Sequence, residues 1–369
     1  MAAAGAAWHQ RYPHVVIEWD ARPLHAFNDQ PIAEAVRGYD LAFVDHPTIA
    51  EAVPTGCLRA LDELLPAAER AALAADSIAG SHDTYHYAGR QWALAVDAAC
   101  QVAVADEQRL REHADTPPAT WAQVLDLARR APGAVGLPLY PSDAIISLIS
   151  ITVGHARSLG VPAPSTLVSA EAVELLCELV GQVDARSFDV NPAQLLALMS
   201  STADAPSYAP LIFGYTNFQR PDAPHRRLRF LDAPTMDGVP GGTVLGGAGL
   251  AVPSTSDSPA DAAAFAAWIC GAPAQRDIVC VSGGQPASRQ VWADPSADDL
   301  VGGFFSGTRA TMLGAFVRPR TTWWPRFQEA AGQRLVALLR ARTPAARILR
   351  ELTNLAESAR TTGVEEIDR

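Results

Sequence analysis

Short runs of buried-type strand residues alternate with stretches of helical period along most of this chain, and that alternation restricts it to the α/β class. His14 to Asp20 (HVVIEWD) alternates as a short strand does, Tyr39 to Val44 (YDLAFV) reads as a buried strand, and Gln91 to Val96 (QWALAV) reads as a strand closing on Asp97. Further strands are expected at Cys100 to Ala105, Gly136 to Leu139, Tyr208 to Tyr215 and Leu228 to Asp232, with a glycine-rich connection from Pro234 to Gly249 leading into Leu250 to Val252. Between them, helical period marks Ala2 to Arg11, Leu58 to Leu65, Ala67 to Ala75, Asp106 to His113, Ala144 to Val153, Ala170 to Val183, Pro192 to Ser200 and Ser258 to Cys270. A helix from Trp121 to Ala131 takes Thr120 as its expected N-cap, because a threonine hydroxyl can accept from an otherwise unsatisfied first-turn N–H. Two helices, Trp323 to Leu339 and Pro344 to Ala359, close the chain.

The order at the start is unusual for this class. A compact α/β unit commonly opens on a buried strand that feeds its first helix, whereas here the helix comes first; the expectation is that a strand belongs upstream of Met1.

With 369 residues, 49% hydrophobic and 19% charged, the chain can bury a substantial core and is expected to divide in two. Its net charge of -11, without a basic stripe, points away from nucleic acid. All 29 cationic residues are arginine. That removes the P-loop lysine, the Schiff-base lysine and the kinase lysine, and with them three enzyme classes. Heavy use of Ala, Gly and Pro alongside Arg makes a GC-rich coding bias the simpler origin of this pattern. The five cysteines, Cys57, Cys100, Cys177, Cys270 and Cys280, form no C-x-x-C pair and read as small apolar residues. Met1 to Ala7 lacks the basic region and the apolar length of a signal peptide, and no stretch reaches the roughly 18 to 20 apolar residues of a membrane span.

Motif searches return no H-E-x-x-H, G-x-S-x-G, complete G-x-G-x-x-G or EF-hand loop, which shifts weight from catalysis toward binding. His82 and His86 lie in a turn-like context without a third ligand, so a solvated surface is the better reading than a metal site, and no metal or cofactor is expected. Gly241, Gly242, Gly246, Gly247 and Gly249 lack a following helix and a nearby cation, so a turn or hinge explains them better than a phosphate cradle.

Short polar and aromatic residues at element ends are more informative. Asp45 and His46, Asp97, Tyr215 and Asn217, and Trp323 and Trp324 all fall just past expected strands or at a helix start. Such a mixture suits a carbohydrate-like ligand: ring faces cover C–H patches, while carboxylates and amides meet hydroxyls. Core packing is the ordinary reading for either tryptophan alone. Neighbouring helical residues point about 100° apart, however, so the pair is not expected to bury both indoles on one face.

Taken in order, these segments resemble the extracellular solute-binding proteins of ABC transporters, the family 1, maltose-binding-protein-like type. The resemblance is carried by YDLAFVDHPTIAEAVPTGCLRALDELL (Tyr39 to Leu65), HYAGRQWALAVDAACQVAVAD (His86 to Asp106), PATWAQVLDLARR (Pro118 to Arg130), YAPLIFGYTNF (Tyr208 to Phe218), LGGAGLAVP (Leu245 to Pro253), GGQPASRQVW (Gly283 to Trp292) and TTWWPRFQEA (Thr321 to Ala330). It implies a periplasmic-binding-protein-like (type II) fold, two α/β lobes joined by a multi-strand hinge with a ligand cleft between them. The N-terminal lobe would comprise 1–95 and 249–308, the C-terminal lobe 96–248 and 309–369, with strand-like crossings near 94–98, 248–253 and 305–315. It implies that Asp45 and His46 edge the ligand site from the first lobe, that Asp97 sits at the first crossing, and that Tyr215, Asn217 and Trp323 or Trp324 come from the second, a tryptophan serving as stacking platform. The implied function is capture of a small polar ligand for an ABC importer by a monomer, extracytoplasmic, with a permease as partner and no catalytic residue, nucleic acid or membrane insertion. The alternatives are an enzyme reusing the fold, with Asp45, His46 and Asp97 as an acid/base group, or an intracellular ligand sensor. The family's opening strand and turn, and its export signal, are not seen in this sequence.

Overall fold

A computed structural model describes residues 1–21 and 31–367, with side chains described through 361. The chain divides into two compact units. The first comprises Met1–Ala99, Gly246–Val301 and Pro319–Thr322; the second comprises Cys100–Leu245, Gly302–Arg318 and Trp323–Arg369. In chain order the strands are β1 (Ala42–Val44), β2 (His86–Tyr87), β3 (Arg90–Gln91), β4 (Ala93–Ala105), β5 (Tyr208–Phe213), β6 (Arg229–Leu231) and β7 (Leu245–Ala251).

In the first unit, β7 lies between β1 and β4. β1 and β7 run antiparallel, with Ala42 opposite Ala251 and Val44 opposite Gly249. The helix Pro259–Cys270 covers this sheet with an alanine-rich face, burying Ala263, Phe265, Ala266 and Ile269 against Leu94, Val96, Leu250 and Val252. Small residues let the helix approach closely, and the aromatics fill the margin: Trp8 of the helix Ala2–Arg11 meets Phe265 edge-on at 5.6 Å and Trp268 at 5.2 Å.

Three expectations are corrected here. His14 to Asp20 alternates in burial, with Val15, Ile17 and Trp19 packed inward, but it joins no ladder among the described residues; its inner face rests on the first helix, where Gly5 lies beside Ile17 and Trp19. Leu58 to Leu65 contains only a 3-10 turn at Leu61–Glu63, since Leu58 is taken up by a bridge to Pro253. Finally, Gly246, Gly247 and Gly249 are not a loop but the interior of β7. Gly247 takes a φ of +125°, and a Cβ there would run into the Asp97 carbonyl; a Cβ on Gly249 would sit 2.7 Å from the Tyr85 ring. Gly247 and Gly249 thus allow close approach of backbone to backbone and to ring.

In the second unit, residues 101–105 of β4 pair antiparallel with β5, and residues 103–105 also pair with β6. The apolar helix Pro141–Ser158 runs through the core against Trp324–Arg340, and their approach is close enough that a Cβ on Gly332 would collide with the Pro141 carbonyl. Thr120 caps Trp121–Arg130 as expected, in a reciprocal box with Gln123, and Asn191 with Gln194 builds a second such box. Gly136 to Leu139 is buried but is not a strand; only Val135 bridges to Tyr208. The stretch 305–315, expected as strand-like, lies mostly in the helix Phe304–Leu313, where Phe304 packs edge-on against Phe230 at 5.0 Å.

Candidate functional site

In the first unit, Asp45 and His46 follow β1 directly, as the strand pattern requires. His46 Nδ1 lies 3.4 Å from Asp45 Oδ1, and the imidazole is buried at 1% exposure, meeting the Tyr85 ring edge-on at 6.3 Å. Tyr85, also buried, donates its hydroxyl to the Val44 carbonyl at 3.5 Å, so one ring supports both the end of β1 and the imidazole after it. His46 is therefore buried beside Asp45 rather than an open surface. The expectation for His82 is corrected as well: it is buried, its backbone N–H held by Ser77 Oγ at 2.8 Å, and burial pushes its imidazole below the ordinary value, whereas His86 is exposed.

Asp97 does not stand at a strand end. It lies inside β4, which continues unbroken to Ala105. Its neighbour across the ladder edge is the turn Gly283–Pro286: Asp97 bridges Pro286, the Gln285 N–H donates to Asp97 Oδ2 at 3.3 Å, and the Ala98 N–H donates to the Gln285 carbonyl at 3.2 Å. Burial raises the Asp97 carboxyl to about 6, more than the Gln285 hydrogen bond lowers it. Among the described residues, Oδ1 takes no hydrogen bond and no charged group acts on the carboxyl.

In the second unit, Tyr215 and Asn217 lie in the turn after β5; Asn217 is exposed and Tyr215 half-buried. The turn is fixed from beneath by Gln219, whose Nε2 donates to the Gly302 carbonyl at 2.7 Å while its Oε1 accepts from the Phe230 N–H at 2.6 Å. Phe218 stacks on His225 at 4.8 Å. Trp324 is a correction: its indole has 0% exposure, lies in the core, and donates to Gln328 Oε1 at 3.2 Å. Trp323 packs partly against the same core, edge-on to Phe327 at 5.8 Å, and keeps accessible surface. The Arg360 guanidinium lies 6.0 Å from its ring centre, so a ligand stacking on that face would have to displace the arginine.

The structure thus pairs Asp45 with His46 and Trp323 with Trp324, and gives Asp97 to Gln285. Sequence reading missed two buried polar groups, Gln275 and Gln101. Gln101 donates to Ser147 at 2.9 Å and accepts from Ser150 at 2.7 Å, and Gln275 bonds to Val96, Ile269 and Ala287. Neither has a local signature, because each is defined by partners distant in sequence. Among the described residues, no group of three or more His, Cys, Asp or Glu is arranged to hold a metal ion, and no helix is long and apolar enough to cross a membrane. Burial pushes the Cys100 thiol up to about 12, so it stays a protonated, unreactive packing group.

Residues 26–301 match the family described as bacterial extracellular solute-binding protein. No curated protein matches the chain by sequence. Among solved structures it is similar to maltose-bound MalE3 of T. maritima, at 14% identity and a TM-score of 0.78 over 98% of this chain and 95% of that one. An ABC transporter solute-binding protein from Thermotoga lettingae TMO bound with α-D-tagatose is similar at 16% identity and a TM-score of 0.79, over 97% and 95%. One from Agrobacterium radiobacter K84 in complex with ribitol matches at 15% identity and a TM-score of 0.75, over 97% and 94%. These likenesses extend over nearly the whole chain, and the fold is that of the maltose-binding-protein-like, two-lobed α/β binding proteins.

Proposed function

The chain belongs to the bacterial extracellular solute-binding protein family, and on that premise we propose that it captures a neutral polyhydroxylated solute, a sugar or polyol, for the permease of an ABC importer. The observation that supports this solute class is Asp97: among the described residues, one carboxylate oxygen accepts from a backbone N–H, the other takes no hydrogen bond, and no charged group acts on the carboxyl. Such a carboxylate suits a ligand hydroxyl, whereas an anionic solute would be repelled by it. Trp323 adds an apolar ring surface for C–H faces, and Asn217, Tyr215 and Asp45 add polar contacts that discriminate among hydroxyl patterns. The maltose, tagatose and ribitol bound by the three structural neighbours support the same class.

On this reading Asp97 and Asp45 act from the first unit and Trp323, Tyr215 and Asn217 from the second, and binding changes how the units are arranged. The protein works as a monomer outside the cytoplasm and hands over its solute chemically unchanged. A thermal-shift panel of neutral sugars, polyols, amines and anions tests the proposal. A neutral member at 100 times its Kd should stabilise the chain by about 2.7 kcal/mol. A panel in which only anions raise the melting temperature would refute it.

A further inference from the structure

Gln275 has no exposure and spends its carboxamide on three separate parts of the first unit. Nε2 donates to the Val96 carbonyl at 3.0 Å and to the Ile269 carbonyl at 3.0 Å, and Oε1 accepts from the Ala287 N–H at 2.7 Å. Val96 is the residue before Asp97 in β4, Ile269 lies in the last turn of the helix Pro259–Cys270, and Ala287 lies two residues beyond Gln285. One side chain therefore ties the strand carrying Asp97 to the turn whose N–H meets the Asp97 carboxylate.

The surrounding geometry amplifies the tie. Gln275 opens a π-helical turn, Gln275–Cys280, a distortion that frequently marks functional positions. The Gly283 N–H donates to the Cys280 carbonyl at 3.0 Å and the Gly284 N–H to the Val279 carbonyl at 2.9 Å, so the 283–286 turn is mounted on that π-turn. A Cβ on Gly284 would lie 2.7 Å from Val279 Cγ1, which fixes the mounting closely. From the far side, Trp292 Nε1 donates to the Pro286 carbonyl at 2.7 Å. A segment held this firmly presents the Gln285 N–H at one place only.

We infer that Gln275 is a positioning residue for solute capture: through the 285–287 segment it holds the Gln285 N–H on Asp97 Oδ2, which covers Oδ2 from water and leaves Oδ1 for a solute hydroxyl. The inference rests on the assignment of Asp97 to the solute site. Its test is made on the ligand-free chain, so its outcome does not depend on which solute binds, or on whether one does.

The side-chain carboxyl of Asp97 is titrated by carbon NMR in the parent chain, in Gln275→Ala and in Gln275→Met, the last keeping the volume while making none of the three hydrogen bonds. Exchange of the Gln285 and Ala287 amides is followed in the same samples. Gln219→Met serves as the control, because Gln219 is a comparably buried glutamine bonded at both ends of its amide, but to Gly302 and Phe230 in the second unit. Desolvation is the larger influence on Asp97 and the Gln285 N–H the smaller, opposing one, so releasing the turn should admit water and lower the midpoint from about 6 toward the ordinary carboxylate range. Amide exchange at 285 and 287 should quicken with it, while Gln219→Met leaves both unmoved. An unchanged Asp97 midpoint in folded Gln275→Met would overturn the inference even if exchange quickens, since the glutamine would then be only structural. An equal shift in Gln219→Met would overturn it as well.

Discussion

Replacing Trp324 by alanine and replacing Trp323 by alanine should have opposite consequences, although the residues are neighbours. Trp324 is wholly within the second unit's core, so its truncation leaves a cavity and should cost about 3 to 5 kcal/mol of stability in chemical denaturation. Trp323 keeps accessible surface, so its truncation should cost less stability than that of Trp324 and weaken solute binding by about two- to tenfold, the worth of an aromatic contact of roughly 0.5 to 1.5 kcal/mol beyond its area. Equal effects of both variants on affinity and stability would contradict this division. A second residue-scale prediction concerns Asp143, in the first turn of Pro141–Ser158, where the helix dipole favours a negative charge. Burial outweighs the dipole and raises the carboxyl to about 7 from 3.8. Between those values the folded chain holds a proton that the unfolded chain has released, so this group's contribution to stability falls as pH rises through the window. Asp143→Asn should therefore match the parent below about pH 4 and gain on it up to about pH 7, on the order of 1.4 kcal/mol per unit of displacement. Denaturant midpoints across that range measure it; a constant difference would show the carboxyl to be ionised throughout. Some residue roles were readable in advance and others were not, for a physical reason. The Thr120 cap is set by the three residues after it, and the placement of Asp45 by the strand just before it. The partner of Asp97 lies 188 positions away, and no local pattern announces it.

At the scale of elements, the strand β7 shows where local reading fails. Three glycines in LGGAGLA look like a connection, because glycine gives up conformational freedom in a strand and contributes no side chain to a sheet. The strand forms by pairing between β1 and β4, and it takes glycine because Tyr85 and the Asp97 backbone occupy the space that side chains would need. Gly249→Val should therefore destabilise the first unit despite its favourable strand propensity, by about 1 to 3 kcal/mol as an overpacked site, and more if the Tyr85 ring cannot move. Urea denaturation checks the sign: a neutral or stabilising effect of this substitution would show that the ring yields freely. Reading Asp97 as a strand terminus is a related error. A carboxylate usually ends a buried run, and here the turn Gly283–Pro286 satisfies it so that β4 can continue. The long helices were legible because amphipathic period over ten or more residues is hard to imitate, as the cores of Trp121–Arg130 and Trp324–Arg340 illustrate.

For the whole molecule, the α/β class and the binding-protein fold were legible from the order of segments, even though the strands expected at 14–20, 136–139 and 305–315 do not form. Order survives such errors because connectivity and relative length constrain a fold more than any single element does. If the solute engages both units, saturating it should reduce the radius of gyration in small-angle scattering, while each unit's interior stays as it is. An unchanged radius would mean that one unit binds alone. Capture without chemistry is the central claim, and equilibrium dialysis of the chain against a mixture of neutral sugars and polyols, with mass spectrometry of retained and free solute, tests it directly. The predicted result is one equivalent of a single neutral solute retained at unchanged mass. Retention of none, or recovery of a solute whose mass has changed, would contradict it.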